Sequence, residues 1–171
     1  INSENNCISC KKAEGKLNNL KSNLNDHNIP GTVGIGHTRW ATHGKPEVKN
    51  AHPHTDSSGN IAVVQNGIIE NFQDLKNKLE EEGIIFNSDT DTEVIPHLIQ
   101  RELSTLSKLN LENNGSTLLV AVRNVLSDLE GSYALAVLWS GAPTSLVVAR
   151  RQAPLIIGLG EGEFICASDT P

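Results

Sequence analysis

A chain of 171 residues, 37% hydrophobic and with 14 glycines, is long enough for one domain with a sizeable core. Its net charge of −6 and pI near 5.5 argue against a nucleic-acid partner, because phosphate binding needs a basic face. No apolar run approaches the ~18 residues of a membrane span, no leader-like segment opens the chain, and three cysteines suit a reducing compartment, the cytoplasm, better than a disulfide framework.

The first thirty residues are rich in asparagine and hold two of the three cysteines. Within them Lys16 to Leu24 predicts a short amphipathic helix, with Leu17, Leu20 and Leu24 three and four apart. Pro30-Gly31 marks a turn. Thr32 to His37 reads as a strand. Ile61 to Gln65 reads as a buried strand ending at Asn66-Gly67. Asn71 is placed to cap a helix carrying Phe72, Leu75 and Leu79, stopped by Gly83. Asp91 or Thr92 is placed to cap the next, with Val94, Ile95, Leu98 and Ile99 inward and Pro96 in the first turn. Ser116 opens a third helix with Leu118, Leu119, Val122, Val125, Leu126 and Leu129 on one face, closed by Gly131. Strands follow over 133–139, 145–150, 155–158 and 164–167. Helices in one run and strands in another predict segregated layers, an α+β class, rather than βαβ units.

Three segments carry more chemistry than packing needs. Residues 36–46 hold His37, Arg39, Trp40, Thr42 and His43 directly after an apolar run. The second is Gln65-Asn66-Gly67 with its flanks, and the third runs from Ser88 through Asp91 to Ile95. A planar guanidinium such as Arg39 suits a carboxylate, and Asp91 suits an ammonium. A side-chain amide and a glycine N–H, Asn66 and Gly67, can converge on an oxyanion. Each residue also has an ordinary reading. Asn-Gly after a strand is commonly a hairpin turn, Asp before a helix an N-cap, a lone Arg surface, and a Trp packing.

In order and wording the three segments resemble the glutamine amidotransferase domain of the class II, N-terminal-nucleophile type, and within it that of the glucosamine-6-phosphate synthases. The resemblance implies the four-layer αββα sandwich of N-terminal-nucleophile aminohydrolases. It also implies hydrolysis of L-glutamine to L-glutamate and ammonia, with no cofactor and no metal. Arg39, Thr42, His43, Gly67 and Asp91 would bind the amino acid, Asn66 and Gly67 would form the oxyanion hole, and Trp40 would stand near the ammonia exit. Fructose 6-phosphate, the ammonia acceptor, would be a partner only through a separate isomerase half. No nucleic acid or membrane enters, and a homo-oligomer is expected.

The family's nucleophile is a cysteine at residue one, activated by its own α-amino group, whereas this chain begins with Ile1. The expectation is therefore a partial glutaminase domain over 1–171, truncated at both ends, lacking the isomerase domains, inactive by itself and prone to self-association. Two other readings stay open: the equivalent domain of another class II amidotransferase, or a glutamine-binding module without catalysis. His37, His43, His52 and His54 lie within eighteen residues and allow a metal reading. Yet no H-E-x-x-H accompanies them, and Cys7-x-x-Cys10 stands alone. They are read as loop-ordering and site-lining groups, and Cys166 as a packing residue.

Overall fold

The computed structural model describes residues 1–2, 5–25, 29–39 and 43–169, with Asn25 described for its backbone alone. A four-stranded antiparallel sheet runs in the order β1 (His54–Thr55), β2 (Ile61–Ile69), β3 (Gly131–Trp139) and β4 (Val147–Arg151). A separate two-stranded ribbon joins β5 (Ile156–Leu159) to β6 (Phe164–Ala167). The helices are α1 (Leu17–Asn25), α2 (Phe72–Glu81), α3 (Val94–Lys108) and α4 (Gly115–Asp128). This is the expected α+β class.

Strand alternation sorts the sheet into two faces. Ile61, Val63 and Ile69 of β2, with Leu135, Val137 and Trp139 of β3, join the core formed with α2, α3 and α4. Leu75 and Leu79, then Val94, Ile95, Leu98 and Ile99, then Leu118, Val122 and Val125 fill that core at helical spacing. Ala62 and Leu138 point to the other face, under Ile1, Ile8, Val33 and Ile35. Among the described residues no helix is long and apolar enough to cross a membrane.

Several local expectations give way to long-range bonds. The strand does not end at Asn66-Gly67. β2 continues to Ile69, and Asn66 and Gly67 pair with Ala134 and Tyr133. Gly67 has φ +108°, and a Cβ there would run into the Ser132 carbonyl, so glycine is required for the two backbones to approach. Asn71 makes no cap bond to α2. Its amide bridges to the Asp128 carbonyl (2.8 Å) and the Glu130 N–H (3.0 Å). Neither Asp91 nor Thr92 caps α3. They open a 3-10 turn, Asp91–Glu93, that leads into it. α4 starts one residue early, capped by Asn114, whose side chain accepts from Thr117 N–H at 3.0 Å, and Leu119 faces outward, 47% exposed.

The stretch 32–37 forms no strand; two of its backbone groups bond to Ile1. The Ile1 ammonium donates to the Val33 carbonyl and Thr32 N–H donates to the Ile1 carbonyl. It is nevertheless extended in its burial. Residues 33, 35, 37 and 39 are half-buried while 34, 36 and 38 are exposed. The alternation seats Val33 and Ile35 on the sheet and carries His37 and Arg39 to the same side.

Candidate active site

The three chemically dense segments converge. His37, Thr38, Arg39, His43, His52, Gln65, Asn66, Gly67, Ile68 and Thr90 to Thr92 line one cleft of about 260 Å³. That is room for one small molecule, just below the roughly 300–1,000 Å³ of sites for drug-sized ligands. Of the sites predicted from sequence, Arg39, His43, Asn66, Gly67 and Asp91 are brought together here. Trp40 and Thr42 lie outside the described residues.

The acidic side is built from the core. Asp91 is 3% exposed, and its Oδ2 accepts from the Ile69 N–H at 2.8 Å. Among the described residues Oδ1 stands 3.9 Å from His43 Nδ1, too far for a hydrogen bond. A buried carboxylate with one oxygen unused can accept from a cation. The preceding loop is held by Glu93, itself buried. Its carboxylate accepts from Asn87 N–H (2.8 Å), Ser88 N–H (2.7 Å) and Ser88 Oγ (2.5 Å), with His97 Nε2 3.8 Å away. Burial works against this charge, but His97 and the donors of Asn87 and Ser88 outweigh it and bring its pKa down to about 2. Ser88 Oγ continues to Thr90 Oγ1 (3.0 Å), and Thr90 to His54 Nε2 (3.0 Å).

The basic side is a loop closed by Arg39. Its Nη2 donates to the carbonyls of His43 and Gly44 and its Nη1 to that of Lys45, the last two at 3.1 Å. A guanidinium has five N–H donors, so two are left over from these contacts. His43 packs edge-on against Phe72, with ring centroids 5.2 Å apart.

On the floor, His37 Nε2 lies 2.9 Å from Asn66 Oδ1. Burial depresses the His37 pKa, and the contact leaves the two Nδ2 donors of the Asn66 amide over. His37 stacks on His52 (4.1 Å) and His52 on His54 (4.9 Å). Burial first, then neighbouring positive charge, pushes His52 down to about 2 and His54 to about 4. Both rings are therefore uncharged near neutral pH. Among the described residues no group of three or more His, Cys, Asp or Glu is arranged for a metal. Buried atoms without partners gather at this cleft: His37 Nδ1, His43 Nδ1, His52 Nδ1 and Gln65 Nε2. Such orphans call for a ligand or ordered water. Gln65 and Thr90 escaped the sequence reading because Thr92 and His54, their partners, lie far along the chain; Glu93 escaped it although Asn87, Ser88 and His97 lie within six residues of it.

Comparison with known proteins agrees with this geometry. A glutamine amidotransferase domain model matches residues 37–171. The glutamine–fructose-6-phosphate aminotransferase (isomerizing) of Thermosynechococcus vestitus is 56% identical over 162 residues, covering 95% of this chain and 25% of the relative. The enzyme of the same name from Pyrococcus horikoshii is 53% identical over 164 residues, covering 96% and 26%. The chain thus spans about a quarter of the length of the curated relatives it matches. Among solved structures, glutamine phosphoribosylpyrophosphate amidotransferase from B. subtilis is 32% identical with a TM-score of 0.59, covering 77% of this chain and 26% of that one. An allosteric regulatory enzyme of purine biosynthesis gives 32% and 0.60, covering 77% and 27%. The fold is therefore of the N-terminal-nucleophile aminohydrolase type. The family model covers most of the chain, and with it the cleft and the sheet beneath it: the chain belongs to the glutamine amidotransferase domain family.

Proposed function

We propose that the chain is the glutaminase part of a glutamine–fructose-6-phosphate aminotransferase. In this reading it binds L-glutamine, and ammonia released from the side-chain amide aminates fructose 6-phosphate to glucosamine 6-phosphate, the entry to hexosamine synthesis. The acceptor sugar would be handled by an isomerase half that matches no part of these residues. The observation that carries the reading is the 56% identity over 95% of the chain, against 32% to the phosphoribosylpyrophosphate amidotransferase. That difference favours the hexosamine enzyme over other class II amidotransferases.

The roles follow from charge and donor inventory. Asp91 Oδ1 takes the α-ammonium. Arg39, through the donors its loop leaves over, takes the α-carboxylate, with His43 and Thr42 beside it. As the amide carbon becomes tetrahedral its oxygen gains charge, and Asn66 Nδ2 with the Gly67 N–H receives it. Removing one such donor typically costs about 10²–10³ in rate. Trp40 is assigned to the ammonia exit. The nucleophile of this chemistry is a thiolate, but none of Cys7, Cys10 and Cys166 lines the cleft. Residues 1–171 alone should bind glutamine and release no ammonia. The three free thiols suit a cytoplasmic setting. Self-association has a surface in the ribbon, where Ile157, Leu159, Phe164 and Ile165 are each more than half exposed, and sedimentation at micromolar concentration checks it.

Calorimetric titration with L-glutamine and L-glutamate tests the reading. Binding that Asp91→Asn and Arg39→Ala each weaken at least about tenfold, roughly 1.4 kcal/mol, is expected. No binding, or binding indifferent to both substitutions, refutes the assignment. Ammonia release by the chain alone would sink the argument about the thiols.

A further inference from the structure

Between the two charged sides of the cleft lies a buried amide that the chemistry above leaves unused. Asn50 is 0% exposed and ends the 3-10 turn Val48–Asn50. Its Nδ2 donates to the Lys45 carbonyl (3.0 Å) and to Asp89 Oδ2 (3.3 Å), and its Oδ1 accepts from the Asp89 N–H (2.9 Å). A backbone N–H can only donate, which settles which end of the amide is oxygen.

Each arm of this amide ends on a different wall. The Lys45 carbonyl also accepts from Arg39 Nη1 at 3.1 Å and from the Glu47 N–H at 2.8 Å, so Asn50 and Arg39 meet on one oxygen. Asp89 stands two residues before Asp91, whose Oδ2 is pinned by Ile69 N–H. Gly44 closes the junction: it sits at φ +75°, and a Cβ on it would lie 2.7 Å from Asn50 Nδ2 and 3.0 Å from the Asp89 Cβ. The one side chain thus ties the turn that seats Arg39 to the segment that presents Asp91.

We propose that Asn50 is a positioning residue: it fixes the spacing of Arg39 and Asp91, and so makes the cleft selective for one hand of an α-amino acid. The inference rests on the glutamine-site reading. An α-amino acid carries its carboxylate and ammonium on one carbon. Two anchors held in register accept the L-form, and the D-form can satisfy them only by turning its side chain away from Asn66 and Gly67. Site groups must be held within roughly 0.5 Å for such discrimination. A loop as exposed as 43–45 does not achieve that without a tie to the core.

Asn50→Asp separates the arms. It keeps an acceptor for the Asp89 N–H and replaces the donor with an oxygen facing the Lys45 carbonyl and the Asp89 carboxylate. L- and D-glutamate are titrated against the unsubstituted chain, Asn50→Asp, Arg39→Ala and the double variant, with thermal melts in parallel. The expected result is an affinity for L-glutamate reduced about tenfold in Asn50→Asp, with the L/D ratio falling toward one and the fold retained. Arg39→Ala should then cost less in the Asn50→Asp background, because coupled residues are non-additive. An unchanged L/D ratio with additive costs overturns the positioning role and leaves the glutamine reading standing. Failure of the unsubstituted chain to bind L-glutamate overturns that reading and this inference with it. If Asn50→Asp does not fold, Asn50→Ser is measured in the same way, and unfolding of both assigns Asn50 to folding and overturns the proposal.

Discussion

The two walls of the cleft are made differently. The acidic wall, 87–93, is part of the core: Glu93 collects three donors and Asp91 is locked to the last residue of β2. The basic wall, Arg39 with residues 43–50, is largely exposed and held by carbonyls that accept from Arg39 and Asn50. The first wall is anchored in the core, and the second keeps its register through the Asn50 tie.

The contrast can be broken most severely at β2. Gly67→Ala puts a Cβ against the Ser132 carbonyl at a φ reserved for glycine. Strain and overpacking together predict a loss of about 4 kcal/mol, read by chemical denaturation. A variant as stable as the parent would mean that the two strands separate there easily.

Glu93→Gln comes next. It leaves the Asn87 and Ser88 donors facing a weaker acceptor, at a cost of about 3 kcal/mol near neutral pH. The same group writes an acid limb. With a folded pKa of about 2 against an ordinary 4.5, its contribution is complete above about pH 4.5 and is lost as pH falls toward 2. In Glu93→Gln that limb of the stability–pH curve should flatten; an identical limb would show that other carboxylates carry it.

His54 sharpens the comparison from the middle. It is neutral in the fold, down at about 4 from an ordinary 6.5, so the unfolded chain takes up its proton first. Stability should therefore begin to fall below about pH 6.5, and His54→Gln should shrink the loss between 6.5 and 4 to the share of His52, which is held down to about 2, while sparing the Glu93 limb. Urea midpoints across that range separate the two. The smallest effect belongs to the rim. Lys49 meets Asp89 at 2.9 Å with both side chains about half exposed. Lys49→Met should leave the melt unchanged, since exposed pairs contribute little. A clear drop in Tm would place the basic wall nearer the core than its exposure suggests.

What the sequence determined is what depends on near neighbours. The apolar spacing of Leu75 and Leu79, of Val94 to Ile99 and of Leu118 to Val125 marked three helices and the faces they bury, since 3.6 residues make a turn whatever lies opposite. The residues that meet in the cleft were legible too, because Arg39, His43, Asn66 and Asp91 are residue types that packing does not ask for. Local signals misled where a side chain's partner is far along the chain. Asn66-Gly67 looks like a turn, yet β3, more than sixty residues on, continues the ladder across it. Asn71 and Asp91 look like caps, yet their oxygens are taken by Glu130 N–H and Ile69 N–H. The alternation of 32–37 shows in its burial, but a strand also needs a ladder partner, and among the described residues no strand pairs with it. Asn50 and Gln65 carry no local signature, because their partners Asp89 and Thr92 lie far along the chain. Periodicity is a property of the chain, whereas the satisfaction of a buried polar group is a property of the fold.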